Sequence, residues 1–423
     1  MKNCRVTPIP IALIALIIAL APAAFATNGY FLHGIGTGSK AMAGATVALP
    51  VEALDADTNP ALSVFVDRGH SFSLALFNPD RQYTVTGNPS GMPRTFGLAP
   101  GTVTSKSNYF PMPAAGFNFR PNENSAVTVN FTGHGGMNTD YRTNTFYGSD
   151  HTGVDLMQMF LSTTYSRKIT HNQSFGISAV FAEQRFKASG LEAFAAFSSD
   201  TDCLTGNGYK WSHGVGLKVG YFAQPLPRLS FGVSYSPTIT MSKFGKYRGL
   251  FAQDGRFNIP ASGTAGIAYK VNEPLTVTAD YQRIHYSDVA SVGNALLPNL
   301  MTAPLGAERG AGFGWKDINI YKVGMQWKAS EMWTWRAGYS KADQPIPQSE
   351  VLFNILAPGV VQQHITLGLS KALERSPGRF NVAVMYAPSK SVRGPNPLEV
   401  PGGQQIALKM HEYEIEFGYS FGF

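Results

Sequence analysis

The chain closes on a strict two-residue alternation, in which apolar and mostly aromatic side chains take turns with polar or very small ones. Successive side chains of a β-strand point to opposite faces, so this stretch predicts a strand with one apolar face and one polar face. The apolar set is Tyr413, Ile415, Phe417, Tyr419, Phe421 and Phe423, and the other set is Glu412, Glu414, Glu416, Gly418, Ser420 and Gly422. A soluble sandwich and a membrane barrel both contain such strands.

The same alternation recurs along the chain, and composition assigns it to a membrane. Charged residues make up 14% of the sequence, against about 25% in an ordinary soluble domain. After residue 26 no apolar run reaches the roughly 18 residues that a membrane-spanning helix needs. In a barrel wall each lipid-facing side chain is separated from the next by a polar one. Low charge without a helical span therefore indicates a transmembrane β-barrel. Further alternating segments are 229–235, 275–281, 321–327, 333–339 and 380–386.

We predict about fourteen strands, joined by connections that alternate between short and long. The strands begin near residues 70, 109, 125, 157, 173, 209, 228, 257, 275, 317, 332, 361, 378 and 410. Short turns such as 121–124 and 271–274 alternate with long connections such as 289–316. This order is typical of an antiparallel outer-membrane barrel with short periplasmic turns and longer outer loops, and a sandwich or propeller has no reason to adopt it. Twelve and sixteen strands are the alternatives.

The first 26 residues predict a signal peptide. Lys2 and Arg5 precede an apolar stretch over residues 9–20, and Ala24-Phe25-Ala26 offers a cleavage site after Ala26. A membrane-anchoring helix is the alternative, but spanning a bilayer takes roughly 20 apolar residues. Removing this leader lowers the formal net charge of +7 by two. The remaining charge is mild and contains no basic run, which argues against nucleic acid as a partner.

Residues 27–66 do not fit a membrane-spanning strand. They are rich in Gly and Ala and too apolar for a typical disordered tail. We therefore expect them to form a compact plug, or hatch, inside the lumen of the barrel, with a flexible tail as the alternative. Residues 67–423 would form the transmembrane barrel.

Four short signatures resemble one family and span most of the chain. They are residues 28–32 followed by Gly44-Ala45, the plug motif Asn59-Pro60-Ala61, the stretch Gly314-Trp315-Lys316-Asp317, and the proline-containing segment 343–347. Together they resemble the FadL-type outer-membrane transporters of long-chain fatty acids, which include aromatic-hydrocarbon channels related to TodX. The resemblance implies a 14-stranded barrel, an N-terminal hatch and passive uptake from the outer surface. It also implies sideways exit through the barrel wall, at an inward kink of the third strand.

A candidate for that kink follows the third predicted strand. The strand covers residues 126–132 and runs into Gly133, Gly135 and Gly136. Glycine inside a strand marks a bulge or bend and removes side chains that would block an opening. The start of an ordinary loop is the alternative.

Two basic residues are candidates for binding a carboxylate cargo. Lys316 shares parity with Lys322 and Gln326, so we expect it to face the lumen near the outer end; an exposed loop lysine is the alternative. Arg185 resembles the family's second basic position, but its parity matches Phe181 on the lipid face. Candidate apolar contacts, chosen mostly by location, are Trp315, Phe186, Leu191, Phe194 and Phe197. Residues 188–199 predict a short amphipathic helix in the third outer loop.

The sequence shows no nucleophile motif, metal-ligand spacing or cofactor motif. The rival functions are a barrel enzyme of the lipase type, a general polar porin and an adhesive surface barrel. The expected partners are a hydrophobic small molecule, outer-membrane lipid and lipopolysaccharide. The terminal Phe423 resembles the signal that the barrel-assembly machinery recognises, and we expect a monomer. The choice between fatty acid, aromatic and alkane cargo stays open at this point.

Overall fold

Fourteen antiparallel strands close into a barrel in the computed structural model, which describes residues 28–374 and 376–422. The strands are β1 (Gly69–Thr86), β2 (Phe110–Asn122), β3 (Ser125–Asp140), β4 (Gly153–Thr170), β5 (Gln173–Ser189), β6 (Lys210–Leu226), β7 (Leu229–Ser236), β8 (Ser262–Lys270), β9 (Leu275–Ile284), β10 (Ile318–Lys328), β11 (Trp333–Ala342), β12 (Gln363–Ala372), β13 (Gly378–Pro395) and β14 (Gln405–Gly422). Each strand pairs with its sequence neighbour, and β14 pairs with β1 to close the ring. A short strand, Gly101–Thr104, pairs with β1 inside the first long loop. The predicted fold and strand number are confirmed. The predicted signal peptide over residues 1–26 and the terminal Phe423 lie outside the described residues.

The side-chain alternation of β14 separates the two faces of the wall as predicted. Tyr413 and Phe417 are 50% and 58% exposed on the outside, whereas Glu414 and Glu416 are buried on the inside. The outward set is the apolar one, which is the arrangement that a hydrocarbon environment requires. The exposed apolar surface of the barrel is therefore its lipid-facing surface.

Short turns and long loops alternate around the ring. The turns are 123–124, 171–172, 227–228, 271–274, 329–332 and 373–377, and the long loops are 87–109, 141–152, 190–209, 237–261, 285–317, 343–362 and 396–404. Several strands run farther toward the loops than the sequence predicted, since β3 continues to Asp140 and β13 to Pro395. Backbone pairing does not require apolar side chains, so the ladder continues after the apolar alternation has ended.

Helices are short and lie outside the strands. They are α1 (Thr37–Lys40), α2 (Ala290–Gly293), α3 (Asn299–Thr302) and the 3-10 helices Ala53–Asp57, Pro60–Phe65, Glu192–Phe197, Thr201–Cys203, Gly245–Tyr247, Tyr286–Asp288, Gln348–Glu350 and Phe353–Ile355. A left-handed turn occupies Ala252–Gly255, with positive φ at its two central residues. In the third outer loop the predicted helix over 188–199 is shorter than expected, because β5 continues through Ser189. Among the described residues, no helix has the length and apolarity needed to cross a membrane.

Residues 28–66, which we call the N-terminal segment, contribute no strand and bond to inward-facing groups of many strands. The Lys40 ammonium contacts the carboxylates of Glu414 at 3.0 Å and Glu416 at 2.6 Å on β14. Asp280 on β9 accepts a hydrogen bond from the amide of Val47 at 2.9 Å. Further bonds join the segment to β2, β4, β5, β10 and β12.

Inward-facing glycines make room for this segment. A Cβ added at Gly220 of β6 would lie 2.0 Å from Oδ1 of Asn59, and one added at Gly232 of β7 would lie 2.0 Å from the carbonyl oxygen of Val47. Neither position has space for a side chain while the segment stays in place. Close approach of the N-terminal segment is therefore one reason for the high glycine content.

Asn59 fixes the last turn of the segment. Its side chain accepts a hydrogen bond from the amide of Ala61 at 3.0 Å, which caps the 3-10 helix that begins at Pro60. Its amide group donates to the carbonyls of Val47 at 2.9 Å and Tyr221 at 3.1 Å. The motif Asn59-Pro60-Ala61 thus combines a helix start with contacts to the segment and to β6.

Candidate functional site

Four outer loops converge on an apolar pocket beside the outer ends of β4 and β5, which we call the loop pocket. Its lining residues are Val154, Phe186, Leu191, Phe194, Leu204, Leu250, Phe251, Ser291, Leu305, Ala311, Gly312, Phe313, Phe353 and Leu356. Among the described residues, Ser291 contributes the only polar side chain to this lining. Its hydroxyl donates to the carbonyl of Arg256 at 2.6 Å, so this donor is already used. The pocket is therefore built to contact apolar groups.

Aromatic rings nearly fill the loop pocket. Phe186 lies 4.6 Å from Phe251 between ring centroids, and Phe194 meets Phe353 edge to face at 5.1 Å. The open volume is about 30 Å³, whereas a cavity of about 150 Å³ accommodates benzene. A ligand of that size therefore enters only if some of these side chains move.

Contacts between the loops hold the pocket together. The Arg248 guanidinium donates to the carboxylate of Asp200, and this hydrogen bond lowers the pKa of Asp200 below its usual range. The amide of Leu305 donates to the carbonyl of Phe197 at 2.7 Å. Loops that follow β5, β7 and β9 are thus joined beside the pocket.

A line of aromatic rings leads from the loop pocket to β3. Successive centroid distances are 5.0 Å for Phe251–Phe257, 6.0 Å for Phe257–Tyr30, 5.4 Å for Tyr30–Phe31 and 4.5 Å for Phe31–His134. These separations lie in the range of favourable aromatic pairs. Apolar and aromatic surface therefore connects the outer loops with the third strand through the N-terminal segment.

The third strand contains a β-bulge at the predicted kink. Gly133 is opposite Met159 of β4 and Gly135 is opposite Gln158, so His134 is an extra residue in β3. Its ring stacks on Phe160 at 3.8 Å. Because β3 continues beyond this point, the glycines mark an irregularity inside a strand and not the start of a loop.

The hydrogen-bonded pairing between β2 and β3 ends just before the bulge, on the side toward the outer loops. Their pairing runs from Asn122 and Ser125 to Ala115 and Phe131. Residues 110–114 of β2 pair with β1 in the described chain, without a partner strand on the β3 side. The freed edge of β3 bonds to the N-terminal segment instead. Gly136 donates to the carbonyl of Tyr30 at 3.1 Å, and Leu32 donates to the carbonyl of His134 at 3.4 Å.

Tyr286 anchors this part of the N-terminal segment. Its hydroxyl accepts from the amide of Tyr30 at 3.2 Å and donates to the carbonyl of Asn28. Burial raises the pKa of Tyr286, so the phenol remains protonated and available as a donor. The ring also meets Trp315 edge to face at 5.1 Å.

The structure corrects the expectation for Lys316. Lys316 lies in the loop before β10, its side chain is exposed, and it does not line the loop pocket. Its amide donates to the carbonyl of Pro345. The strand parity used to orient it begins only at Ile318, so it does not apply to Lys316.

Arg185 faces outward on β5, as its parity indicated, and also lies outside the pocket lining. Its guanidinium is 3.9 Å from the carboxylate of Asp155 and stacks over the ring of Tyr209 at 4.6 Å. An acidic neighbour already offsets its charge. Neither basic candidate is therefore brought to the pocket.

The apolar candidates divide into two groups. Phe186, Leu191 and Phe194 line the loop pocket. Phe197 is half-buried beside it, and Trp315 lies deeper, where its indole donates to the side-chain oxygen of Asn354 at 2.6 Å. Sequence reasoning missed the lining residues of the other loops, among them Leu250, Phe251, Phe313 and Phe353. It also missed Lys40, which stands in a glycine-rich stretch without strand periodicity.

A family model described as outer membrane protein transport protein (OMPP1/FadL/TodX) matches residues 13–370, which is most of the chain. No curated protein matches the sequence significantly.

Several solved structures share the fold. The Pseudomonas putida toluene transporter TodX is 19% identical, with a TM-score of 0.65, and the match covers 94% of this chain and 100% of that one. A Pseudomonas aeruginosa FadL homologue is 16% identical, with a TM-score of 0.67 and coverage of 93% and 98%. The Ralstonia pickettii toluene transporter TbuX is 17% identical, with a TM-score of 0.63 and coverage of 93% and 99%.

Proposed function

Since the chain belongs to the OMPP1/FadL/TodX family of outer-membrane transport proteins, we propose that it takes up small uncharged hydrophobic molecules, aromatic hydrocarbons in particular, by passive diffusion. The barrel and the family establish an outer-membrane transport protein. The solved relatives, which include toluene transporters and a FadL homologue, support a hydrocarbon or fatty-acid cargo. The cargo, the route and the roles of the individual residues are what we propose.

Capture in the loop pocket is a matter of removing apolar surface from water. Each buried methylene group contributes about 0.8 kcal/mol, so a ring of six or seven carbons gains several kcal/mol. Edge-to-face contacts with rings such as Phe194 and Phe353 add to this for an aromatic cargo. Neither binding nor diffusion requires covalent chemistry.

The apolar lining of the loop pocket is the observation that favours an uncharged cargo. A carboxylate that leaves water needs a cation or hydrogen-bond donors around it. Among the described residues none with a charge lines the loop pocket, and the Ser291 hydroxyl is already bonded. Lys316 is exposed outside the lining, and Arg185 is beside Asp155. A hydrocarbon fits this pocket better than a fatty acid does.

The aromatic line and the bulge support a sideways route out of the barrel. Cargo leaving the loop pocket would follow the rings of Phe257, Tyr30 and Phe31 to the bulge at His134. There the ladder between β2 and β3 is interrupted, and residues 30–32 hold the freed edge of β3. Movement of these residues would open a path between β2 and β3 at Gly133, Gly135 and Gly136 into the hydrocarbon of the membrane.

Residues 28–66 would then serve as the hatch of the channel. Their bonds to strands from β2 to β14 support this role, because a segment held from several sides of the lumen would obstruct polar solutes. The division into a signal peptide (1–26), a hatch (27–66) and a barrel (67–423) remains our proposal for the organisation of the chain.

Binding of labelled toluene and labelled oleate to the purified protein tests the cargo. We expect toluene to bind more tightly than oleate. Phe194→Ala should strengthen toluene binding by about tenfold, since removing a ring from the nearly filled pocket leaves an apolar cavity of the kind that accommodates benzene. Lys316→Ala should leave binding of both ligands unchanged.

Met301→Ala is the matched control, because Met301 lies in the fifth long loop, is 59% exposed and is not part of the lining. Tighter binding of oleate, or equal toluene binding by Phe194→Ala and the unaltered protein, would contradict an uncharged cargo in this pocket. A large steady conductance in planar bilayers that no hydrophobic ligand changes would indicate a polar porin instead.

A further inference from the structure

A second apolar groove lies on the lipid-facing outside of the barrel, across β12, β13, β14 and β1. Its volume is about 550 Å³, within the range of roughly 300–1,000 Å³ for small-molecule sites. The outward side chains that line it include Leu76, Ile365, Leu367, Val384, Tyr386 and Tyr413. Because this surface faces hydrocarbon, the fitting occupant is an acyl chain.

Two cations project from the same outer face beyond the groove. Lys409 lies on the outward parity of Tyr413 in β14, and Arg393 lies on β13 opposite Ala407, next to Lys409 in the register. Both side chains are exposed. The Arg393 guanidinium donates to the hydroxyl of Thr86 on β1 at 3.2 Å, so it reaches across β14.

Among the described residues of this face, Asp80 is the acidic side chain that points outward, whereas Glu414, which also borders the groove, is buried on the inside. Asp80 is opposite His411 in the pairing of β1 with β14, and the two side chains approach to 3.9 Å. The position opposite Lys409 is Gln82, which carries no charge. The part of this face around Lys409 and Arg393 is therefore positively charged. The carboxylate of Asp80 lies closer to the groove, beside His411.

The level of these cations matches that of lipid headgroups. Tyr386 and Tyr413 stack at 5.0 Å at the top of the groove, and aromatic girdles mark the interfaces of a membrane barrel. Lys409 is four residues beyond Tyr413, or about 13 Å along the strand. It lies toward the long loop 396–404, which is the outer side of the barrel.

We propose that this face binds the lipid A part of lipopolysaccharide, with an acyl chain in the groove and a phosphate on Lys409 and Arg393. The assignment rests on charge and position. The two cations lie farther toward the outer side than the apolar groove, just as the phosphates of an outer-leaflet lipid lie farther out than its acyl chains. A cation near an anionic headgroup strengthens binding about fivefold, so the pair contributes roughly 25-fold. This site is independent of the cargo proposed for the loop pocket.

Titration of the purified barrel in detergent with phosphorylated lipid A, followed by native mass spectrometry, tests the site. We expect the double variant Lys409→Gln, Arg393→Gln to bind about 25-fold more weakly and each single variant about fivefold more weakly. Lys187→Gln is the matched control, since Lys187 is an exposed cation at the outer end of β5, far around the ring. It should bind lipid A like the unaltered protein.

Dephosphorylated lipid A should bind the unaltered barrel as weakly as phosphorylated lipid A binds the double variant. Circular dichroism and toluene binding, both expected to be unchanged, show that the double variant is folded. Equal lipid A affinity in the double variant, an equal loss in Lys187→Gln, or equal binding of phosphatidylglycerol would each overturn the proposal.

Discussion

The amide of Gly136 donates a hydrogen bond to the carbonyl of Tyr30 at 3.1 Å, which ties the N-terminal segment to the free edge of β3. Within a regular barrel that amide would bond to the neighbouring strand β2. Here the pairing of β3 with β2 ends at Phe131, just before the bulge, and the N-terminal segment takes over the edge. On the proposed sideways route, opening of the wall at this point would require the release of residues 30–32.

Gly135→Ala should loosen this contact. A Cβ at Gly135 would lie 2.3 Å from the carbonyl oxygen of Tyr30, so residues 30–32 must shift away from β3. We expect faster amide exchange in residues 30–32, measured by hydrogen–deuterium exchange. Gly245→Ala is the control, because a Cβ there meets nothing within 4 Å. Unchanged exchange in Gly135→Ala would show that the strand absorbs the methyl group.

Deletion of His134 should close the proposed sideways route. Removing the extra residue lets β3 keep a regular register with β4 and brings its outer half back toward β2. We expect hydrocarbon uptake by cells to fall to the level of a strain without the protein, while the barrel still assembles. His134→Ala keeps the bulge and should retain uptake. Equal uptake by the deletion variant and the unaltered protein would argue against exit between β2 and β3.

Lys40→Met should detach the N-terminal segment from β14. It leaves the carboxylates of Glu414 and Glu416 buried without their cation, a change that typically costs about 3–5 kcal/mol. We expect larger conductance in planar bilayers. The exposed Lys106 supplies the control, Lys106→Met. Adding Glu414→Gln and Glu416→Gln to Lys40→Met should lower the conductance again; no recovery would mean that charge burial is not the cause.

Hydrocarbon binding should be independent of pH between 5 and 8 and weaken only in strong acid. The hydrogen bond from Arg248 lowers the pKa of Asp200, so this carboxylate is charged throughout that range. The contribution of the Asp200–Arg248 contact to the stability of the loop pocket is fully present above the usual Asp pKa of about 3.9. It is lost as the pH falls through the lowered pKa of Asp200. Toluene binding measured against pH checks this. Asp200→Asn should abolish the acid-dependent step, and a change between pH 5 and 8 would point to another group.

The fold was predictable because one local pattern recurs in six segments along the chain, from residues 229–235 to the C-terminal strand. The alternation seen in Tyr413 and Glu414 needs no knowledge of distant residues, since each strand of a barrel has one face in lipid and one inside. Arg185 illustrates the same point, because its position in the alternation of β5 correctly predicted that it faces outward. Lys316 shows the limit: parity has meaning only within a strand, and β10 begins two residues later.

The loop pocket was only partly predictable. Phe186 and Phe194 stand on or near the end of a strand, but Phe251 and Phe353 come from loops far away in sequence. Irregular loops have no period, so nothing in the local sequence says which of their side chains meet. The role of Lys40 was hidden for the same reason, since its carboxylate partners lie more than 370 residues away.

The nearly filled loop pocket has a consequence for transport. A guest must push aside rings such as Phe194 and Phe353, and the energy needed to disturb their packing weakens its hold. When the guest moves on, the rings return and favour its departure. If the loop pocket is the entry site, as proposed, such a weak hold suits a passive channel, because a channel conducts only when its binding sites also release.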